Sequence, residues 1–145
     1  MQPEAIHQRV PRPRGVTMLV WLVLILAVLH LTRLEQSLAR WEFLRTTLPF
    51  SPIYLAINGA LWGLVGLVLT WALWFGKVWA PRLLSIAALL FTVSYWFERV
   101  VMSGSPNRNI NWPFAVGVNL LVLVFIIWQI RRKKVMYYFG EMHVK

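Results

Sequence analysis

Four long apolar stretches dominate the chain, and short polar or proline-containing segments separate them. Each stretch is close to the ~20 residues that a helix needs to cross the hydrocarbon core of a bilayer. Helices are the expected form, because a span must satisfy its backbone hydrogen bonds internally. The pattern therefore predicts one all-α integral membrane domain, a four-helix bundle with spans at residues 16–34, 52–75, 78–102 and 113–130.

The segments between and around the spans differ in character. Residues 1–14 carry three prolines and three arginines, which indicates a basic tail. Residues 103–111 are rich in turn formers and predict a short loop, and residues 131–145 form a basic and aromatic tail. The connection at residues 35–51 favours a short interfacial helix, because five apolar residues recur at helical spacing: Leu34, Leu38, Trp41, Leu44 and Leu48.

The first span has to be distinguished from a cleavable secretory signal. A basic start, an apolar stretch and a possible cleavage site at Ser37-Leu38-Ala39 resemble such a signal. However, the apolar run from Val16 to Leu31 exceeds the usual length of roughly 7–15 residues, and Arg33 and Glu35 lie close to the cleavage position. An uncleaved membrane anchor is the favoured interpretation.

Composition narrows the classes of function. The formal net charge of +10 raises the question of nucleic acid, but the basic residues flank apolar spans, so membrane topology and anionic lipid explain them better. The chain has no cysteine and no aspartate, and it lacks phosphate-binding, paired-histidine zinc and serine-hydrolase motifs. We expect a non-enzymatic protein with no catalytic residues, no metal, no cofactor and no nucleic-acid partner.

The distribution of basic residues predicts the orientation. With both termini in the cytoplasm, ten lysine and arginine residues lie inside and five outside, as the positive-inside rule requires. The tryptophan residues support the same arrangement, because seven of the nine then lie near the two membrane interfaces that the tryptophan ring prefers. The sequence therefore predicts a bundle with both ends inside.

Small residues form a stripe along the second span. At 100° per residue they fall within about 80° of one another, so they share one helix face. Such a face allows another helix backbone to approach closely, either within the monomer or in another subunit. The proposed helix-packing residues are Ala56, Gly59, Gly63, Gly66 and Thr70.

Polar residues within the spans are expected at one depth, in the outer third of the membrane. Asn58 and Asn119 each lie six residues after a proline that opens a span, about 9 Å of helix rise. One interpretation is interhelical hydrogen bonding with an ion pair at Glu98, and the other is a polar pocket or ion path. The proposed outer polar layer comprises His30, Arg33, Asn58, Glu98, Arg99 and Asn119.

The C-terminal tail combines a basic cluster with Tyr137, Tyr138 and Phe139. This combination suits a segment that lies on an anionic inner leaflet, and a docking peptide for a protein partner is the alternative. The residues expected to face lipid headgroups are Arg131, Arg132, Lys133 and Lys134.

The leading functional hypothesis is a structural or accessory subunit of a larger membrane complex, located in the cytoplasmic membrane of a bacterium. Its expected partners are membrane lipids and either other subunits or further copies of itself. The alternative is a small homo-oligomeric transporter or channel that uses the outer polar layer. A membrane enzyme or cofactor carrier ranks third, because His30 alone offers at most one axial ligand.

Overall fold

The computed structural model describes residues 12–47, 51–102 and 111–140. This part of the chain is helical and contains no strand. In chain order its helices are α1 (Arg14–Ala39), α2 (Trp41–Thr47), α3 (Pro52–Trp74), α4 (Ala80–Phe97), α5 (Trp112–Ile130) and α6 (Lys133–Tyr138), and a π-helical turn at Glu98–Met102 continues α4. Four of them, α1, α3, α4 with the start of its π-turn, and α5, are long and apolar enough to cross a membrane, which confirms the predicted all-α class.

Local residue types account for where several of the helices begin. Pro52 occupies the first turn of α3, where its missing N–H costs nothing, and the Ser51 hydroxyl accepts a hydrogen bond from the Ile53 amide. Pro113 has the same position in α5. Helix α1 continues beyond residue 34 as far as Ala39, so the segment predicted as an interfacial helix is divided between the end of α1 and α2.

The four long helices run alternately up and down. Gly66 lies against Ala27 and Gly59 against Leu34, so α3 is antiparallel to α1. Ring contacts and hydrogen bonds pair the start of α3 with the end of α4, and the end of α4 with the start of α5. The bundle thus has two ends. We call the end with Arg14, Trp74, Ala80 and Ile130 basal, and the other end apical.

The closest helix packing joins α1 and α3. A Cβ atom added at Gly59 would lie 2.9 Å from the His30 carbonyl oxygen and 3.0 Å from the Leu34 amide nitrogen, and one at Gly66 would lie 2.7 Å from the Ala27 Cβ. At Gly63 the obstacle is the Leu31 side chain. Among the other small residues of this stripe, Ala56 is half-buried and the Thr70 hydroxyl donates to the Gly66 carbonyl of its own helix.

The basal half holds the most completely buried side chains, and α6 contributes to them. Val135 and Phe139 are each 1% exposed and belong to the same apolar cluster as Leu19 and Leu73. The Tyr138 hydroxyl donates to the Trp74 carbonyl over 3.0 Å. The segment from Lys133 onward therefore folds back against the bundle, whereas the four basic residues at 131–134 are exposed.

Candidate functional site

A polar cluster centred on Glu98 connects three helices at the apical end. Arg33 of α1 donates to Glu98 Oε2 over 3.1 Å and forms an ion pair with it. From α3, the Tyr54 hydroxyl donates to Glu98 Oε1 over 3.2 Å, and the Asn58 side-chain amide donates to the same oxygen. The carboxylate therefore has donors on both of its oxygens, supplied by two other helices.

In the π-helical turn, the side chains of two consecutive charged residues contact different parts of the bundle. Glu98, its first residue, points to α1 and α3, while the next residue, Arg99, lines a cavity beside α5. Arg99 Nη1 donates to the Tyr95 hydroxyl over 3.0 Å. π-Helical turns within helices occur frequently at functional sites, because they change the direction in which side chains project.

The cavity has a volume of about 530 Å³ and lies between all four long helices. The polar residues of its lining lie in the apical half. They come from α1, α4, the π-helical turn, α5 and the residue before α5: His30, Thr92, Tyr95, Arg99, Asn111 and Asn119. Toward the basal end the lining becomes apolar, with Leu84 and Ile126 at the bottom. The cavity thus has one polar and one apolar half.

Two of the cavity's polar residues have defined neighbours. Asn119 Oδ1 accepts a hydrogen bond from the Thr92 hydroxyl over 3.2 Å, which links α5 to α4. The His30 ring meets the Phe91 ring edge-on, with 5.3 Å between centroids. His30 Nδ1 is buried and has no hydrogen-bond partner among the described residues.

The structure brings the predicted outer polar layer together in two groups instead of one. Arg33, Asn58 and Glu98 belong to the cluster around the carboxylate. His30, Arg99 and Asn119 line the neighbouring cavity.

No family model, curated protein or solved structure matches this chain.

Sequence reasoning missed three residues that take part in these interactions. Tyr54 precedes Asn58 by one helical turn, and Tyr95 precedes Arg99 by the same interval, so each hydroxyl lies on the face of a polar residue already identified. The Thr92 hydroxyl lies within hydrogen-bond distance of both the Ala88 carbonyl of its own helix and Asn119 Oδ1, and its single proton can be donated to one of them at a time. The i, i+4 spacing was the available signal for both tyrosines.

Proposed function

We propose that this chain is a non-catalytic subunit of a larger membrane assembly, located in the cytoplasmic membrane of a bacterium. The observation that carries this proposal is the internal use of Glu98. Its carboxylate accepts hydrogen bonds from Arg33, Tyr54 and Asn58. These interactions connect α1, α3 and α4 to one another. Polar groups in a membrane need such partners, because hydrocarbon offers none.

The alternative is a homo-oligomeric transporter or channel. In that case Glu98 would have to exchange its three donors for an ion or solute during each cycle. A proteoliposome flux that Glu98→Gln abolishes, without loss of folded protein, favours this alternative and contradicts a purely structural cluster.

Helix α5 is the surface that we assign to a partner subunit. Only Ile126 and Gln129 of this helix are buried by the rest of the bundle. Gly117 faces open space, with no atom within 4 Å of an added Cβ, so another helix backbone could approach closely there. Helices in a membrane associate through such close packing, because no hydrophobic effect drives them together.

Site-directed crosslinking tests this assignment. The chain has no cysteine, so a photo-reactive maleimide can be attached to single cysteines without background. Leu121→Cys on α5 and Leu64→Cys on α3 provide a matched pair, since the native side chains are 69% and 61% exposed. We expect Leu121→Cys to crosslink in native membranes to one foreign subunit that co-purifies stoichiometrically, and Leu64→Cys to label lipid. Self-crosslinks alone from Leu121→Cys, with a pure homo-oligomer in mild detergent, contradict the proposal.

The basal end is proposed to face the cytoplasm. Support comes from cationic side chains that lie over tryptophan rings at this end: Arg12 over Trp74 at 3.7 Å and Arg132 over Trp128 at 3.8 Å from the ring centroid. Such pairs suit the membrane interface, where tryptophan and arginine are both favoured. The exposed basic residues at 131–134 would then contact anionic lipid headgroups of the inner leaflet.

Cysteine accessibility in intact cells tests this orientation. We expect an impermeant maleimide to label Ser105→Cys and to leave Lys77→Cys unlabelled until the membrane is permeabilised. Labelling of Lys77→Cys in intact cells would show that the orientation is the reverse of the one proposed.

A further inference from the structure

We propose that the basal end of α3 holds a specific site for one anionic phospholipid. Arg12 and Lys77 bind its phosphate, and its acyl chains lie along the exposed face of α3. The inference deepens the proposed contact of the basal end with lipid headgroups. Only the identity of the leaflet rests on the proposed orientation, because the site itself can be tested in detergent.

Two cationic side chains lie over neighbouring tryptophan rings at the basal end of α3. The Arg12 guanidinium carbon is 3.7 Å from the centroid of the Trp74 ring, and Lys77 Nζ is 5.2 Å from that of the Trp71 ring. The two tryptophans are three residues apart in α3, so their Cβ atoms are neighbours on the helix surface, about 5–6 Å apart. Positive charges from two parts of the chain are thereby placed at adjacent positions.

Stacking on a ring leaves the donors of a guanidinium available to a ligand. The N–H groups of arginine lie in the plane of the guanidinium, so a ring beneath its face does not occupy them. Arg12 Nε has no hydrogen-bond partner among the described residues. The ion pair of the described residues joins Arg33 to Glu98 and involves neither Arg12 nor Lys77. A phosphate supplies both the acceptor oxygens and the negative charge that these two cations can bind.

The charges of the molecule are separated between its two ends. The three described acidic residues, Glu35, Glu42 and Glu98, lie toward the apical end. The other two acidic residues of the sequence, at positions 4 and 141, lie outside the described part and are too few to neutralise the basal end. An anionic ligand is therefore favoured there. The eight described basic residues at this end are Arg12, Arg14, Lys77, Arg82, Arg131, Arg132, Lys133 and Lys134.

Exposed apolar side chains continue from the tryptophan rings along α3. Leu61, Leu64, Val68 and Trp71 are exposed and fall within about 80° of one another at 100° per residue, so they share one helix face. From Trp71 to Leu61 the helix rises about 15 Å, which is half of the ~30 Å hydrocarbon core. This face thus has the length of acyl chains in one leaflet. It favours a phospholipid over an acidic protein segment, which would need no apolar surface beside the cations.

The turn after α3 holds Lys77 beside this surface. Gly76 has a φ of 63°, which glycine adopts without strain, and the Lys77 amide donates to the Ala72 carbonyl. A Cβ added at Gly76 would lie 3.1 Å from the Tyr138 ring, so α6 packs directly against the turn. The Tyr138 hydroxyl donates to the Trp74 carbonyl. The backbone that carries Lys77 is therefore fixed before any lipid binds.

Native mass spectrometry in a nonionic detergent tests the proposal. The probes are dioleoylphosphatidylglycerol and, with the same chains and a zwitterionic headgroup, dioleoylphosphatidylcholine. We expect one saturable adduct with the anionic lipid and about tenfold weaker binding of the zwitterionic lipid, because its ammonium group opposes the two cations. Glycerol 1-phosphate at the same concentration should not displace the lipid, because it lacks acyl chains. Absence of a saturable one-to-one adduct, equal binding of the two lipids, or displacement by glycerol 1-phosphate overturns the proposal.

Matched substitutions locate the headgroup. Arg12→Gln and Lys77→Gln should each weaken binding of phosphatidylglycerol about tenfold, because each removes a charge-assisted hydrogen bond. Arg82→Gln, at an exposed position at the start of α4, removes the same charge from the same end and should change the affinity less than about twofold. Equal losses in all three variants would show a general attraction of the basal end for anions and overturn a specific site.

Thermal unfolding without lipid verifies that each variant is folded. Lys77→Gln carries the test if Arg12→Gln does not fold, because Lys77 is exposed in the turn between α3 and α4. A native protein that forms no lipid adduct but loses a co-purifying protein in Lys77→Gln also overturns the proposal. The surface would then belong to a partner subunit.

A phosphatidylglycerol analogue with a diazirine in one acyl chain tests the position of the chains. Val68 of α3 and Ile86 of α4 are 50% and 54% exposed, and each lies six residues, about 9 Å, from the basal end of its helix. We expect crosslinks around Val68 that excess unlabelled lipid displaces and Lys77→Gln removes. Crosslinks around Ile86 should respond to neither. Equal responses at the two positions overturn the assignment of the chains to α3.

Discussion

The ion pair between Arg33 and Glu98 should contribute measurably to the stability of the bundle. Glu98→Gln keeps one oxygen that can accept from Tyr54 and Asn58. Its new NH₂ group replaces Oε2 and cannot accept the hydrogen bond that Arg33 donates. The substitution thus removes one charge-assisted interaction and leaves most of the shape of the site intact.

The expected magnitude follows from the setting of the pair. The two side chains are 35% and 21% exposed, so neither is deeply buried. Hydrogen bonds between side chains in membrane proteins contribute about 0.6 kcal/mol on average and up to about 1.7 kcal/mol, and charge-assisted pairs belong in the upper part of that range. We expect Glu98→Gln to lower the free energy of unfolding by about 1–1.7 kcal/mol.

A double-mutant cycle separates the pairwise contribution from other effects. Arg33→Gln, Glu98→Gln and the double variant are unfolded by titration with SDS in mixed micelles, and a coupling free energy of about 1 kcal/mol is expected. A control cycle combines Arg33→Gln with Glu35→Gln, because residues two apart on a helix do not face each other. Equal coupling in the two cycles would refute the role of Glu98 as the acceptor that links α1 to α4.

Two further pairs of variants test the packing of the bundle by the same unfolding titration. Gly59→Ala should destabilise the protein, because its Cβ would meet the backbone of α1. Gly117→Ala lies in open space and should raise the free energy of unfolding by up to about 1 kcal/mol through its higher helix propensity. Equal effects of the two substitutions would contradict the close α1–α3 contact. Phe139→Ala should cost about 3–5 kcal/mol through a cavity at the basal end, and Tyr137→Ala, 45% exposed, should cost far less. A small effect of Phe139→Ala would show that α6 does not complete the core.

The helices could be predicted because the information for them is local. Apolar runs of sufficient length, with Pro52 and Pro113 at their starts, indicate where α3 and α5 begin. Alternation of direction between consecutive spans then placed Asn58 and Glu98 at the same end of the bundle. These inferences need only sequence distance and helix rise.

The division of the polar layer into two groups could not be predicted. It depends on the rotation of each helix about its axis, which small differences in packing determine, and on the π-helical turn that begins at Glu98. Both tyrosines were also overlooked, because a tyrosine near a membrane interface is expected there for reasons unrelated to any site. Hydrophobic pattern alone does not reveal which neighbour a polar face meets.

The tail after α5 illustrates a second limit of sequence reasoning. Basic residues followed by aromatic residues suit a membrane surface, and nothing in that local pattern distinguishes Phe139 from Tyr137. In the folded chain Phe139 and Val135, four residues apart on one face, enter the apolar cluster. That cluster also contains Leu19 and Leu73, which lie more than fifty residues earlier in the chain.

The position of α6 also has a consequence for biogenesis. Leu19 of the first span shares its apolar cluster with Phe139, which is synthesised only after the fourth span is complete. Insertion into the membrane can proceed span by span, but the basal core remains unfinished until this segment has left the ribosome. Quality control that senses exposed apolar surface would therefore recognise a chain interrupted after α5 as incomplete, even though all four spans are already in place.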